Sequence, residues 1–206
     1  MITPLLLKGV TIGLSVAAPV GPIGLLCIRR SLADGARAGF ICGLGAASAD
    51  AAYALVGGFA MTAVARWLVA EKPWFGLFGG LFLIFLGVRI ITARASDPAA
   101  ERPRAALAGY SSTLLLTLAN PLTIMSFAAV FASLSLADAA NYSAAAVLVA
   151  GVFAGSALWW LLLSAIVARA RRHVSAAMMR NINRVCGAII AAFGAYALGA
   201  SLFVLA

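Results

Sequence analysis

The sequence contains little charge. Only 10% of its 206 residues are Asp, Glu, Lys or Arg, whereas 64% are hydrophobic and the mean hydropathy is +1.06. Soluble domains carry about 25% charged residues and about 45–50% apolar ones. The chain also contains apolar runs of about 18 residues or more. The composition therefore excludes an ordinary soluble domain and predicts an all-α integral membrane protein.

Histidine, cysteine and carboxylate side chains are also scarce. The chain has one His, three Cys and six Asp or Glu residues. Cys27, Cys42 and Cys186 form no CxxC motif. The apolar segments offer no His and one carboxylate, which is too little for a nucleophile–base pair or a metal centre. We therefore expect no enzyme activity, no metal and no cofactor.

The net charge is +9. In a soluble chain, this charge would suggest a nucleic-acid partner. In a membrane protein, it is typical of cytoplasmic loops that face anionic lipid. We therefore expect membrane lipid, and no nucleic acid, among the partners.

Six segments are long enough to cross a bilayer, whose core needs about 20 apolar residues per helix. They are residues 4–28, 38–64, 74–92, 107–134, 143–168 and 182–204. The loops after the first, third and fifth segments hold or adjoin most of the 15 basic residues, namely Arg29, Arg30, Arg37, Arg89, Arg94, Arg102, Arg104, Arg169, Arg171, Arg172, Arg180 and Arg184. By the positive-inside rule, we expect these loops in the cytoplasm and both termini outside it.

Two of the six segments contain helix-breaking residues. Pro19, Gly21 and Pro22 lie in the middle of the first segment, and Asn120-Pro121 lies in the fourth. Proline removes a backbone donor and clashes with the preceding turn, and glycine loosens the backbone. Non-helical backbone at membrane depth is tolerated only where it is buried in protein or lines a wet cavity. We therefore predict that both breaks bind substrate.

The two halves of the sequence resemble each other in four places that occur in the same order. The matches are Ala18-Pro19 with Asn120-Pro121, 31–34 with 135–138, Gly45 and 50–53 with Gly151 and 156–159, and Gly80/Gly87 with Gly187/Gly194. The pattern predicts two three-helix repeats, 1–93 and 107–206, joined by a cytoplasmic linker at 94–106. Three spans per repeat make the repeats inverted, each beginning with a broken helix, as in secondary transporters.

Asp50 is the carboxylate in the apolar segments, about a dozen residues into the second. An ionised carboxylate near the bilayer centre costs at least about 2.5–3.5 kcal/mol, so it should face the protein interior or water, or carry a proton. Asp50 is our candidate for proton coupling or for pairing with a substrate ammonium. The structural alternative is a carboxylate held by a hydroxyl such as that of Ser48, or by the free backbone of the first break.

Three further polar or aromatic residues lie deep in the predicted spans. Asn120 could bind a substrate or satisfy backbone groups freed by Pro121. Tyr53 and Trp159 occupy matching repeat positions, where they could line the cavity or pack in the core. We include all three residues, with Pro121, in the candidate substrate site.

Three motifs make the chain resemble the lysine-exporter (LysE/RhtB) family of bacterial amino-acid exporters. They are the break ending in Gly21-Pro22, the Arg29-Arg30-Ser31-Leu32 run with Gly35, and the run from Gly43 to Asp50. In the second half, Asn120-Pro121 and the runs 156–160 and 182–187 also fit the family. The resemblance implies an inner-membrane exporter, often oligomeric, that the proton gradient drives. The family's Pro-Gly-Pro appears here with Val20 in place of the first proline.

These observations predict a secondary active transporter that exports an amino acid or a related small solute in exchange for protons, and the resemblance adds the expectation of a homo-oligomer. One alternative is an exporter of metal cations or of another solute, although a cation site needs several converging ligands. A second is a membrane-embedded enzyme such as a thiol–disulfide relay, which needs a pair of cysteines able to bridge. A third is a scaffold subunit without transport activity, which would have no use for two broken helices.

Overall fold

The computed structural model describes residues 2–19, 21–58, 67, 69–92, 102–134 and 142–205. Eight α-helices and one 3-10 turn, Arg171–His173, account for most of them, and no strand occurs in these ranges. The helices are α1 (Ile2–Ala17), α2 (Pro22–Asp34), α3 (Ala36–Gly58), α4 (Lys72–Thr92), α5 (Arg102–Leu118), α6 (Pro121–Leu134), α7 (Tyr142–Ala170) and α8 (Ala176–Leu205).

Four of the helices, α3, α4, α7 and α8, are each long and apolar enough to cross a bilayer. Two shorter pairs pass the same test together: α1 with α2, which meet at 86°, and α5 with α6, which meet at 59°. If each bent pair is one span, the described chain has six spans. The prediction of an all-α membrane protein is confirmed, and the bends occur at the two predicted breaks.

Proline and the residue before it set the start of both second half-helices. Pro22 occupies the first turn of α2, where its missing N–H and fixed φ do no harm. Gly21 caps this helix in an extended conformation, with φ −108° and ψ −160°. Pro121 begins α6 in the same manner, and the side-chain oxygen of Asn120 accepts a hydrogen bond from the Leu122 N–H at 3.1 Å.

Some predicted boundaries differ from the observed ones, since helix α5 begins at Arg102, inside the predicted linker 94–106. Helix α3 is described as far as Gly58, and the rest of the predicted second span, 59–64, lies outside the described residues. Residues 59–66, Arg94 and the predicted repeat match at 135–138 lie outside the described residues.

The helices run in directions that their side-chain contacts fix. Helices α3 and α7 are antiparallel, because Gly43 contacts Trp160 while Asp50 contacts Ser156. Helices α3 and α5 are parallel, because Gly109 lies near Cys42 while Tyr53, further along α3, donates to the carbonyl of Leu118, further along α5. The arginine-rich ends of α2, α7 and α8 lie together at one end of the bundle, which we call the arginine end.

Gly35 marks the turn at this end. Its φ of +94° lies in the left-handed region that favours glycine. Its N–H donates to the Ser31 carbonyl at 3.1 Å and ends α2. The Arg171 guanidinium lies close to it, so the loop after α2 meets the loop after α7.

Glycines allow α4 and α8 to approach each other closely. A Cβ added at Gly80 would lie 2.7 Å from the Gly194 carbonyl oxygen, and one added at Gly194 would lie 2.6 Å from the Gly80 oxygen. Gly87 and Gly187 form a second reciprocal pair, with corresponding distances of 2.6 and 2.7 Å. Small residues at such positions let transmembrane helices pack by backbone contact.

These reciprocal contacts are what a twofold relation between the halves would produce, because it exchanges Gly80 with Gly187 and Gly87 with Gly194. A second set of glycine contacts fits the same twofold relation. Gly45 of α3 lies against the α5 backbone at Tyr110 and Leu114, and Gly151 of α7 lies against the α1 backbone at Leu6 and Val10. These contacts support the inverted repeat, which stays a prediction.

We expect Gly80→Ala to destabilise the protein, because the added methyl group would meet the α8 backbone. Overpacking of this kind costs about 1–3 kcal/mol, so the melting temperature in detergent should fall. Gly199→Ala, in the same helix pair, is the control, since a Cβ there meets nothing within 4 Å. Equal melting temperatures for the two variants would contradict the assigned packing.

Candidate functional site

A cavity of about 860 Å³ lies where the two helix breaks meet. The first break contributes Pro19, Gly21 and Pro22, and the second contributes Asn120 and Pro121. Helix α3 contributes Asp50. Six of the eight predicted site residues therefore line one cavity, while Val20 lies outside the described residues.

The cavity extends from the breaks toward the end of the bundle opposite the arginine end. Its wall includes the first half of α4, from Lys72 to Leu83, and the second half of α8, from Phe193 to Val204. No lining residue comes from the half of α4 that carries Arg89 or from the half of α8 that carries Arg184. Within the described chain, the cavity thus reaches only one side.

The two second half-helices present different N-termini to the cavity. At α6, the Asn120 side-chain oxygen accepts a hydrogen bond from the Leu122 N–H. At α2, no side chain caps the helix, and Ile23 and Gly24 of its first turn line the cavity. Free N–H groups at a helix N-terminus carry partial positive charge, so α2 is the half-helix that can attract an anionic group.

Asp50 is buried, with only 3% of its surface exposed, and it nevertheless lines the cavity. The Ser156 hydroxyl donates to its Oδ2 at 2.7 Å. Among the described residues, no Lys, Arg or His forms an ion pair with it. A buried carboxylate without a counter-ion favours either a proton or a cationic ligand.

Ser156 links Asp50 to an aromatic side chain. The Trp160 indole N–H donates to the Ser156 oxygen at 3.2 Å, and the Ser156 hydroxyl then donates to Asp50. Asp50 is thus held by a hydroxyl, as the structural alternative predicts, but the hydroxyl is that of Ser156 and not of Ser48. Ser48 instead donates to the Leu44 carbonyl and accepts from Tyr110, because its side chain faces α5, whereas Asp50, two residues later on α3, faces α7.

Tyr53 and Trp159 do not line the cavity. Tyr53 is buried, stacks on Phe127 with ring centroids 5.5 Å apart, and donates to the Leu118 carbonyl at 2.5 Å. This carbonyl belongs to the last residue of α5, so Tyr53 stabilises the backbone at the second break without lining the cavity. The Trp159 indole N–H is buried and has no hydrogen-bond partner among the described residues, while Trp160 reaches the cavity.

Sequence patterns did not single out several of the lining residues. Thr117 is 3% exposed, and its hydroxyl has no partner among the described residues. The available signal was its position in the sequence, three residues before Asn120. A polar residue in an apolar segment needs a hydrogen-bond partner, and a nearby helix break can provide one. Lys72, the one lysine of the wall, stood out only as a basic residue at a span end.

Apolar packing closes the bundle between the cavity and the arginine end. Leu26, Ile90 and Ile190 are buried in one cluster with Trp160. Beyond this cluster, the Arg29 guanidinium donates to the Asn183 side-chain oxygen at 2.8 Å and joins α2 to α8. The cavity is therefore separated from the arginine end by a hydrophobic layer and a polar link.

Two of the three cysteines meet at this layer. The Cys27 and Cys42 side chains belong to the same buried cluster as Leu26, Ile90 and Ile190. Both are free thiols, 0% and 2% exposed. A thiol–disulfide relay needs a thiol that an electron donor can reach, and these are enclosed.

The comparisons with known proteins agree with the geometry. The chain is 26% identical to the "Putative amino acid efflux protein YcgF" of Bacillus subtilis (strain 168), over 92% of this chain and 93% of the relative. It is 29% identical to the "Uncharacterized membrane protein YahN" of Escherichia coli (strain K12), over 89% of this chain and 85% of the relative. No solved structure matches the chain.

The family comparison covers most of the chain, including both breaks and Asp50. The model of the LysE type translocator family matches residues 14–201. The protein belongs to the LysE type translocator family.

Proposed function

We propose that this translocator exports amino acids across the bacterial inner membrane in exchange for protons. The observation that carries the proposal is the placement of Asp50 in a cavity formed by two helix breaks. Discontinuous helices that meet near the midplane are a common way in which secondary transporters bind small solutes. The name of the Bacillus relative describes amino acid efflux, which supports the same cargo class.

An amino acid has an ammonium and a carboxylate group, and the cavity offers a partner for each. Asp50 provides the buried negative charge. The uncapped N-terminus of α2 provides partial positive charge, because its first-turn residues line the cavity. Pro19, Gly21 and Pro22 shape this end of the site, while Asn120 and Pro121 shape the opposite wall.

Asp50 is also the proposed proton carrier. When cargo leaves, the buried carboxylate loses its cationic partner, and uptake of a proton removes the unpaired charge. Return of the protonated form to the cytoplasmic side would then release the proton where new cargo binds. This exchange couples outward movement of cargo to inward movement of protons.

The arginine end is the proposed cytoplasmic side. Arginine-rich loops remain in the cytoplasm under the positive-inside rule, so the cavity would face the outside and both termini would lie there. The layer at Leu26, Ile90 and Ile190 would then be the closed inner gate. Export requires this gate to open in a second state, with release of the Arg29–Asn183 hydrogen bond.

Export of metal cations is less well supported. No group of three His, Cys, Asp or Glu side chains occurs among the described residues. A transition-metal or alkaline-earth site would need several such ligands together. The Cys27–Cys42 pair also lies in the closed layer and not in the cavity wall.

Transport by the purified protein in proteoliposomes tests the proposal. Vesicles loaded with a labelled amino-acid mixture and given a proton gradient should release label faster than protein-free vesicles. An ionophore that collapses the gradient should slow this release. If no amino acid leaves these vesicles faster than it leaves protein-free vesicles, amino-acid export is refuted. If the rate of release does not depend on the gradient, proton coupling is refuted.

A further inference from the structure

We propose that the cavity takes neutral amino acids with apolar side chains, and that it excludes lysine and arginine. This inference rests on the proposed export of amino acids and narrows it to one substrate class. The lining residues carry it, through their charges and through the apolar side chains of the wall.

The described lining of the cavity contains one negatively charged side chain. Asp50 is the single carboxylate among the described lining residues, and Lys72 is the single cation. The α-ammonium group of the cargo pairs with Asp50. A second ammonium or a guanidinium on the cargo side chain would then be desolvated without a partner, which opposes its entry.

The wall that α4, α6 and α8 contribute is mostly apolar. Leu83 of α4, Met125 of α6 and Phe193 of α8 contribute large apolar side chains. The two serine hydroxyls of this wall are already engaged, since Ser126 donates to the Leu122 carbonyl and Ser201 to the Ala197 carbonyl, each at 2.8 Å. An aliphatic or aromatic cargo side chain therefore gains contact here without displacing a hydrogen bond.

We expect the charge of the cargo side chain, and not its size, to determine which amino acids are transported. The cavity volume of about 860 Å³ lies in the range of small-molecule sites that accept ligands larger than an amino acid. We therefore expect leucine, methionine and phenylalanine to be accepted together. Lysine and arginine should be rejected, because the described lining offers no second carboxylate for their side chains.

Exchange in proteoliposomes tests this preference. Vesicles containing the purified protein are preloaded with one unlabelled amino acid, and uptake of labelled leucine from outside is measured. Preloaded leucine, methionine or phenylalanine should drive uptake at least about tenfold faster than preloaded lysine or arginine, given the unpaired side-chain charge of the last two.

A charge added to the wall tests the cause. Met125 is half exposed and lies in the cavity wall, so a carboxylate there can remain hydrated in the empty state. Met125→Glu should raise lysine exchange several-fold, whereas Met125→Gln, which adds polarity without charge, should leave lysine excluded. Monodisperse elution of both variants in detergent establishes that they fold.

The outcomes separate the inference from the proposed function. Lysine exchange as fast as leucine exchange in the wild-type protein would overturn the inference and leave amino-acid export intact. Exchange with no amino acid would overturn both. Continued exclusion of lysine by folded Met125→Glu would refute the claim that the missing second carboxylate sets the preference.

Discussion

Replacing Asp50 with Asn is expected to abolish proton-driven efflux. The substitution keeps an acceptor for the Ser156 hydroxyl, so the fold around it should persist. It removes the buried charge, and truncating one partner of a buried charge pair costs about 2–5 kcal/mol, a loss of at least about 30-fold. Efflux from proteoliposomes should fall by this factor and should no longer respond to an imposed pH difference.

Asp34→Asn is the matched control for this substitution. Asp34 lies at the arginine end, where it is 39% exposed and forms an ion pair with Arg30 at 2.7 Å. Such surface pairs contribute about 0–1 kcal/mol, so efflux should change little. Undiminished, gradient-dependent export by Asp50→Asn would end the proposal for Asp50.

The same variant separates the two roles of Asp50. Exchange of labelled for unlabelled cargo requires binding and a change of access, but no net proton movement. If Asp50 pairs with the cargo ammonium, Asp50→Asn loses exchange together with efflux. Exchange at the wild-type rate without proton-driven efflux would limit Asp50 to proton coupling and would remove its proposed role in binding cargo.

A large side chain at Gly21 is expected to block transport. Gly21 lines the cavity, and a Cβ there meets nothing within 4 Å. Its φ of −108° is accessible to any residue, so the backbone need not change. Gly21→Trp should therefore fill space beside the first break and reduce efflux to the rate of protein-free vesicles.

Gly21→Ser controls for the loss of glycine itself. Serine is small and is a preferred N-cap residue, so α2 should begin at the same place and efflux should be largely kept. Both variants are compared by melting temperature in detergent, because tryptophan is a poorer N-cap. Wild-type efflux by folded Gly21→Trp would show that cargo does not pass the first break.

The breaks and Asp50 could be predicted from the sequence because their signals are local. Proline and glycine disrupt a helix through their own backbone chemistry, whatever surrounds them. A carboxylate in a run of apolar residues is costly in lipid unless it faces the protein interior. Their assembly into one cavity then followed from the predicted repeat, which places both breaks at the same depth.

The facing of the remaining side chains could not be predicted in this manner. Helix α7 is apolar on every side, so its sequence does not show which face meets the protein. Neighbouring residues on a helix point about 100° apart. The repeat pattern therefore predicts Trp159 as a site residue, whereas Trp160 is the residue that reaches the cavity and hydrogen-bonds to Ser156.

The central claim is that cargo binds in the cavity between the two breaks, and cysteine labelling tests it most directly. Ser126 lies in the cavity wall and is partly exposed, whereas the three native cysteines are buried. Ser126→Cys in right-side-out membrane vesicles is treated with a membrane-impermeant thiol reagent, with and without leucine.

We predict that the reagent modifies Ser126→Cys from outside and that leucine slows this modification, whereas lysine does not. The unsubstituted protein, treated in parallel, should stay unlabelled because its thiols are enclosed. Modification at the same rate with every amino acid tested, in a protein that still exports them, would contradict the account, because cargo would then cross the membrane elsewhere.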